Sequence, residues 1–386
     1  MRLKRFASNV AILSMSFAAA ANSAHAQTET VLHSFAGIPD GSAAYARVTL
    51  APGGKLYGTT SLGGTNGYGS VFKVTTKGAE YVLYSFSGFP DGAYPAFAPV
   101  AIDKAGNLYG TTYQGGTSNN GTVFKVTPSG METILYNFAG GVDGYNPNSG
   151  VILDKSGNLY GTTVSGGANG YGTVFTVSPS GIKSVLYSFA GGTDGCFPYA
   201  AGLFLKKNIL YGATQNCGAN GYGTVYSVTL SGSETVLHSF ANDGIDGTFP
   251  IAGVVLDSAN NIYGTTETGG TNNAGTVYKI SRTGTESVVH SFAGAPNDGA
   301  NPYGAGVILD KPGNIYGTTN AGGTANVGTV FKMNSSGAVT ILHNFTPDGV
   351  DGYSPTAGVA LKNNIVYGTT LSGGASTAGT VFKIIP

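Results

Sequence analysis

Two carboxylates are the residues whose type and placement could perform acid–base chemistry. Glu267, in "TTETGG", is the one acid in seven Gly-rich loops that recur along the chain, and Asp243, in "ANDGIDG", is an extra acid leading into the same repeat. Two carboxylates on one surface can supply the acid and the base or nucleophile of glycoside cleavage. They are therefore candidate catalytic residues, and the alternative is two unrelated surface acids.

A second set of residues could bind a ligand without reacting with it. Tyr68, Tyr171 and Tyr222 occupy "NGYG" loops where the other repeats have Asn, Ala or Val, and Arg47 replaces a recurrent Gly. Further aromatic residues lie in the same kinds of loop: Tyr45, Tyr94, Tyr113, Tyr145, Phe197, Tyr199, Phe249, Tyr303 and Tyr353. Exposed rings stack on sugars or anchor protein partners. We select Tyr68, Tyr171, Tyr222, Tyr145, Tyr199 and Arg47 as ligand-binding candidates; the alternative is that the rings cover loop backbone.

Aspartate and histidine recur along the chain without the spacing of a metal centre. An Asp-Gly pair appears once per repeat, at Asp40, Asp91, Asp143, Asp194, Asp246, Asp298 and Asp351. Calcium-binding nonapeptides carry carboxylates at much shorter intervals, whereas Asp-Gly is a common turn pair. Four histidines share one position in different repeats: His33, His238, His290 and His343. We expect turn-forming aspartates, structural histidines, and neither a metal nor a cofactor.

The chain contains two cysteines, Cys196 in "DGCFP" and Cys217 in "QNCGANG". Both depart from the repeat within one repeat unit, and Cys217 replaces a Gly that the other six repeats keep. In an oxidising compartment such a pair forms a disulfide.

The N-terminus indicates export. Residues 1–26 combine Arg2, Lys4 and Arg5 with a short apolar run and an Ala-His-Ala end, which is the pattern of a secretory signal peptide. No further span or anchor motif follows, so we expect a monomeric protein of the periplasm or extracellular medium. The remaining chain has no basic stripe, which argues against nucleic acid as a partner.

The elements that position these residues form an internal repeat. The motif "LYGTT" and its variants place tyrosines 51 to 53 residues apart, and each is followed by a Gly-rich loop and "GTVFKV" or a variant of it. A "VLYSF" segment and a "GVILD" segment complete each period, giving four short strands. Seven such repeats of about 52 residues predict an all-β, seven-bladed propeller of four-stranded antiparallel blades over residues 27–386.

Three further expectations concern the arrangement of the strands and loops. The first strand, near Val31–Phe35, should pair with the last three strands and close the ring. The Gly after each recurrent Tyr should leave room for an aromatic ring from the next blade. The loops between second and third strands and the crossovers between blades should share one face, opposite the tight turns.

The combination "LYGTT..GG....GTVFKV", "ETVLYSF" and "DG..P" resembles the GloVer tandem-repeat family of exported bacterial proteins, and the strand order is similar to NHL-type propellers. The resemblance covers the chain beyond the leader. It implies a repeat protein with no established activity, and it transfers no catalytic residue.

The residues and the repeat together favour an exported propeller that acts as a binding or scaffold module for a glycan or an extracellular protein. The alternative is a carbohydrate-active enzyme, a glycoside hydrolase or polysaccharide lyase, that uses the same long-loop face.

Overall fold

The computed structural model describes residues 28–386 except residues 96, 98, 201 and 305. Over these residues, seven four-stranded antiparallel sheets form the blades of a propeller, which confirms the predicted fold. The predicted signal peptide lies outside the described residues. We number the blades in chain order and call their strands inner, second, third and outer, from the axis to the rim.

Each strand type recurs once in every blade. The inner strands are Thr49–Leu50, Ala101–Ile102, Ile152–Leu153, Phe204–Lys206, Val255–Leu256, Ile308–Leu309 and Ala360–Lys362. The second strands are Lys55–Thr60, Leu108–Thr112, Leu159–Thr163, Ile209–Thr214, Ile262–Thr266, Ile315–Thr319 and Ile365–Thr370. The third strands are Ser70–Thr75, Thr122–Val126, Thr173–Val177, Thr224–Thr229, Thr276–Ile280, Thr329–Met333 and Thr380–Ile385.

The outer strands are Glu80–Ser85, Glu132–Asn137, Lys183–Ser188, Glu234–Ser239, Glu286–Ser291, Val339–Asn344 and, for blade seven, Thr28–Ser34. Short two-stranded bridges join crossovers to neighbouring loops: Gly92–Ala93 with Gln114–Gly115, Gly247–Thr248 with Thr268–Gly269, Gly299–Ala300 with Ala321–Gly322, and Gly352–Tyr353 with Ser372–Gly373. A single 3-10 turn is described, at Gly141–Asp143.

The two ends of the chain share blade seven, as predicted. Thr28–Ser34 pairs antiparallel with Thr380–Ile385 and completes a sheet whose other strands come from the C-terminus. On the inner side of this blade, the Thr369 hydroxyl donates to the Ala46 carbonyl of blade one at 2.9 Å. The ring is therefore closed, and the third strand of blade seven is not left as an unpaired edge.

A ladder of aromatic rings joins each blade to the next. The Phe that follows each outer strand is fully buried, and its ring meets the third-strand ring of the next blade edge to face. The pairs, 5.0 to 5.3 Å apart, are Phe35–Phe72, Phe86–Phe124, Phe138–Phe175, Phe189–Tyr226, Phe240–Tyr278, Phe292–Phe331 and Phe345–Phe382. The same contact thus holds all seven interfaces.

The recurrent Tyr-Gly pair serves this ladder differently from our expectation. Gly58 lies opposite Phe72 of its own blade in the strand register, and a Cβ on Gly58 would lie 2.5 Å from the Phe72 ring. The prediction of a ring from the next blade was wrong, because the closest ring belongs to the glycine's cross-strand neighbour. That ring is the one that Phe35 contacts from the preceding blade.

The long loops lie together on one face and are tied around the ring. Tyr94 has a positive φ of 57°, and its N–H donates to the Tyr68 carbonyl in the loop of blade one. Its own carbonyl accepts from the Tyr113 N–H in the loop of blade two. Equivalent bonds recur at the other interfaces, so this face is a connected framework rather than a set of independent loops.

We predict that Phe35→Ala lowers the free energy of unfolding by about 3–5 kcal/mol, because it removes a buried ring from the closing interface. Ile38→Ala is the matched control: Ile38 is 67% exposed, so its loss should change stability by less than about 0.5 kcal/mol. Denaturant unfolding measures both. Equal stability of the two variants would contradict closure by the N-terminal strand, as would unchanged melting after deletion of residues 27–36.

Candidate ligand-binding face

Four aromatic rings meet at the propeller axis on the long-loop face, and we call them the axial cluster: Tyr45, Phe97, Tyr199 and Tyr303. Phe97 is at the centre, with ring centroids 4.9 Å from Tyr45, 5.8 Å from Tyr199 and 5.9 Å from Tyr303. Phe97 is 9% exposed, whereas the three tyrosines keep an intermediate exposure. The cluster therefore offers amphipathic rings around a buried apolar centre.

Loop length distinguishes the crossovers that carry three of these four rings. In each crossover we compare the segment that runs from the positive-φ residue to the position aligned with Arg47, two residues before the inner strand. This segment is one residue longer in blades two, four and six, as in 94–99, than in the other blades, as in 43–47. Phe97, Tyr199 and Tyr303 all come from the longer crossovers. The sequence analysis did not select Phe97, although this length difference is visible in the sequence.

The tyrosine hydroxyls of this region influence one another and a carboxylate. Burial, then the neighbouring Tyr199 and Glu267, raises the pKa of Tyr303 to about 12. Burial, with Tyr199 and Tyr145 nearby, also raises the pKa of Tyr113. These phenols stay protonated at neutral pH, so each can donate a hydrogen bond. Of the predicted ligand-binding residues, Tyr199 and Tyr145 belong to this group.

Glu267 and Asp243, the candidate catalytic pair, lie in different surroundings. Glu267 is half-buried next to Tyr303, and burial raises the pKa of its carboxyl group. Asp243 is exposed in the crossover, where its carboxylate accepts the N–H groups of Ile245 and Asp246 at 2.9 and 2.8 Å. These bonds hold the pKa of Asp243 below its usual range. Asp243 shapes a turn, while Glu267 is next to the axial cluster.

The outer tyrosines, Tyr68, Tyr171 and Tyr222, lie away from the axis and rest on the following crossover. A Cβ on Gly88 would lie 3.0 Å from the Tyr68 ring, and one on Gly191 would lie 2.8 Å from the Tyr171 ring. Tyr68 and Tyr171 are nevertheless 37% and 38% exposed. Each ring thus covers loop backbone with one face and leaves part of its surface to solvent.

Beneath the axial cluster lies a cavity of about 640 Å³ along the axis. Tyr45 and Phe97 border it on the long-loop side, and the inner strands form its wall. Arg47, the sixth ligand-binding candidate, is the one charged residue among the described residues that line it. Arg47 is therefore separate from the loop tyrosines with which the sequence analysis grouped it.

The predicted disulfide is confirmed. Cys196 and Cys217 are bonded, and they join the crossover into blade four to the loop of the same blade. Cys217 has a positive φ of 63°, the conformation that Gly adopts at this position in other blades. On the chain-entropy estimate, closing a loop of this length contributes about 3 kcal/mol. The bond indicates an oxidising compartment.

At the rim, each crossover Asp binds the outer strand that precedes it and the start of its own crossover. Asp91 accepts the Tyr84 hydroxyl at 2.8 Å and the Ser87 N–H at 2.9 Å. In blade seven's interface with blade one, Asp40 accepts from the His33 ring and the Ala36 N–H, both at 3.0 Å. The recurrent His or Tyr therefore positions a turn-capping Asp, in agreement with its predicted structural role.

A glutamate from the next outer strand faces this Asp at five interfaces. Burial, followed by the charge of the crossover Asp, raises the pKa of these glutamates to about 7, namely Glu29, Glu80, Glu132, Glu234 and Glu286. Their Oε1 atoms are buried with no hydrogen-bond partner among the described residues. At the other two interfaces the position is Val339 or Lys183, whose ammonium pairs with Asp143 at 2.7 Å.

Two of these interfaces resemble a cation site in composition. His33, Asp40 and Glu80, and likewise His238, Asp246 and Glu286, bring possible ligand atoms within 4.8 Å of one another. This convergence is not apparent from the sequence, because the Glu comes from a different repeat. In both, the His nitrogen is already hydrogen-bonded to the Asp at 3.0 Å, so we treat the trio as an inter-blade contact.

Seven closed blades, a structured long-loop face and an axial cavity define the protein as a β-propeller with one elaborated face. A family model described as the Gloeobacter/Verrucomicrobia repeat matches residues 20–203 and 149–382. The chain belongs to this repeat family, which confirms the resemblance seen in the sequence. Among curated proteins, none matches the sequence. No helix of the described residues is long and apolar enough to cross a membrane.

Solved structures are similar in fold. Virginiamycin B lyase from Staphylococcus aureus shares 10% identity, with a TM-score of 0.57 over 93% of this chain and 99% of that one. PorZ, a surface component of the type-IX secretion system of Porphyromonas gingivalis, shares 16% identity, with a TM-score of 0.54 over 91% of this chain and 47% of that one. At these identities the likeness shows the propeller fold alone.

We predict that stability falls as the pH rises from 5 to 8. The rim glutamates have a higher pKa in the folded chain, about 7, than their ordinary value of 4.5, so folding favours their protonated form. The stabilisation of the folded chain by these protonated glutamates is complete below their ordinary pKa and is lost as the pH rises through 7. Thermal unfolding at pH 5 and pH 8 measures the effect.

The double variant Glu132→Gln, Glu234→Gln removes two of the five ionising groups and should remove about two fifths of that decrease. Val339→Gln is the control, because it places an amide at an equivalent rim position without removing a carboxyl group. An unchanged pH dependence in the double variant would contradict this explanation.

Proposed function

We propose that the protein is an exported binding module whose long-loop face binds a glycan. The observation that carries the proposal is the axial cluster, in which Tyr45, Tyr199 and Tyr303 present partly exposed rings around Phe97. Rings of this kind stack against the apolar faces of sugars, and their hydroxyls bond to sugar hydroxyls. A rigid platform also limits the entropy lost on binding.

The protonation state of the cluster supports the same function. Tyr303, with its pKa raised to about 12, is a hydrogen-bond donor at any physiological pH. Glu267 next to it adds an acceptor when ionised. Mixed donors and acceptors next to aromatic faces suit a polyhydroxylated ligand better than an apolar one. An extracellular protein partner is the alternative, and the experiment below distinguishes the two.

Export of the chain to the periplasm or the extracellular medium is part of the proposal. The disulfide supports an oxidising compartment, and residues 1–26 have the pattern of a cleaved leader. Glycans are abundant binding targets in both locations.

A glycan-cleaving enzyme is the second candidate, and Glu267 is the observation that favours it. Burial raises the pKa of this carboxyl group, as general acid catalysis requires. The candidate partner Asp243 instead binds two backbone N–H groups with its carboxylate, so the enzyme hypothesis rests on Glu267 alone. Binding without cleavage is therefore the function that we favour.

The test begins with a glycan array probed with the purified exported protein. For a glycan that binds, Tyr199→Ala should weaken affinity about tenfold or more, because ring contact and a hydroxyl are both lost. The triple variant Tyr68→Ala, Tyr171→Ala, Tyr222→Ala should weaken it less, since those rings lie away from the axis. Tyr81→Ala is the matched control: Tyr81 is 50% exposed on an outer strand, and its loss should leave affinity unchanged.

Glu267→Gln separates binding from catalysis. If the protein only binds, wild type and this variant both retain the glycan and release no reducing ends or unsaturated sugars. Release by wild type that is abolished in the variant would favour the enzyme instead. The glycan proposal fails if no glycan binds, or if Tyr199→Ala binds as tightly as wild type.

A further inference from the structure

Arg47 breaks the repeat at a position close to the propeller axis. Blade two has Pro99 at the equivalent position. The other five blades have Gly there, namely Gly150, Gly202, Gly253, Gly306 and Gly358. Some of these residues lie very close to the equivalent residue of the neighbouring blade: a Cβ on Gly358 would lie 2.3 Å from the Gly306 carbonyl oxygen. Close approach is not uniform around the ring, since a Cβ on Gly202 would meet nothing within 4 Å, and at blade one the position carries a long charged side chain.

The Arg47 guanidinium is unpaired within the part of the chain that the structure describes. It makes no hydrogen bond or ion pair with any described residue. Its exposed surface borders the axial cavity on one side and, on the other, a cleft of about 830 Å³ next to the tight turns of blades six and seven. Arg47 is solvent-exposed, and partial desolvation by the protein around the axis lowers its pKa from the ordinary value. An Arg nevertheless stays charged in proteins, and no described residue forms an ion pair with it here.

The cavity wall has the opposite character. Half-exposed aliphatic side chains of the inner strands line it, among them Ile102, Leu153, Leu256 and Leu309. Thr49 is one of the few polar side chains of the wall, and its hydroxyl is already bonded to the Val100 carbonyl at 2.7 Å. The volume of about 640 Å³ is within the range of small-molecule sites.

We propose that this cavity binds an aliphatic carboxylate, with its charged head paired to Arg47 and its hydrocarbon chain against the inner strands. A carboxylate matches the planar guanidinium with two parallel hydrogen bonds. An apolar chain suits an aliphatic wall, whereas the hydroxyls of a sugar acid would lose hydrogen bonds to water there. The cleft at the tight-turn side borders Arg47 and provides the entry path, because the axial cluster covers the other end.

This site is distinct from the proposed glycan face, and either can fail without the other. Isothermal titration with octanoate tests it on the purified exported protein, with 1-octanol and glucuronate as probes that lack the charge or the hydrocarbon chain. Octanoate should bind in a 1:1 ratio, and both other probes should bind at least tenfold more weakly.

Arg47→Gly is the decisive variant, because five other blades fold with Gly at this position. It should reduce octanoate affinity at least tenfold while thermal unfolding stays unchanged, and Arg47→Lys should keep most of the affinity. Should Arg47→Gly unfold, Arg47→Gln removes the charge while keeping much of the side-chain volume, with the same expected loss. No octanoate binding by wild type, or equal affinity in the charge-free variant, overturns the proposal. Tighter binding of glucuronate than of octanoate overturns the aliphatic assignment.

Discussion

The edge-to-face contact between the outer Phe of one blade and the third-strand ring of the next is the interaction on which the propeller depends. It occurs at all seven interfaces with nearly constant spacing, from Phe35–Phe72 to Phe345–Phe382. A closed ring requires seven equivalent interfaces, since a single mismatched angle would prevent the last blade from meeting the first. The Tyr-Gly pair follows from this constraint, because Gly58 leaves space for the ring that Phe35 contacts.

The same constraint separates structural positions from those free to vary. At the rim, Glu132 faces Asp91 of the preceding crossover; such a pairing recurs at five of the seven interfaces, and at a sixth Lys183 pairs with Asp143 instead. Residues near the axis and on the long loops are less constrained by the contacts between blades. The departures that we associate with binding, Tyr199 and Arg47, are found there.

Sequence periodicity was sufficient to predict the strands, the closure by Thr28–Ser34 and the disulfide, because each depends on comparing one repeat with another. It was insufficient where residues of different repeats converge. Phe97 meets Tyr199 and Tyr303 at the axis, and Glu80 meets Asp40 across an interface, and the repeat period alone does not show that these side chains come into contact. The role of the glycine was misjudged for a similar reason: only strand register shows that Gly58 faces Phe72 of its own blade.

If the repeat holds the ring and the axial residues that depart from the repeat hold the ligand, hydrogen–deuterium exchange with and without a bound glycan should show both roles. Without ligand, the second and third strands of all seven blades, and Thr28–Ser34, should exchange slowly and alike. With ligand, added protection should concentrate in crossover segments 43–47, 94–99, 197–202 and 301–306, and should be absent from tight turns such as 51–54. Fast exchange in Thr28–Ser34, or protection centred on the tight turns, would contradict the account.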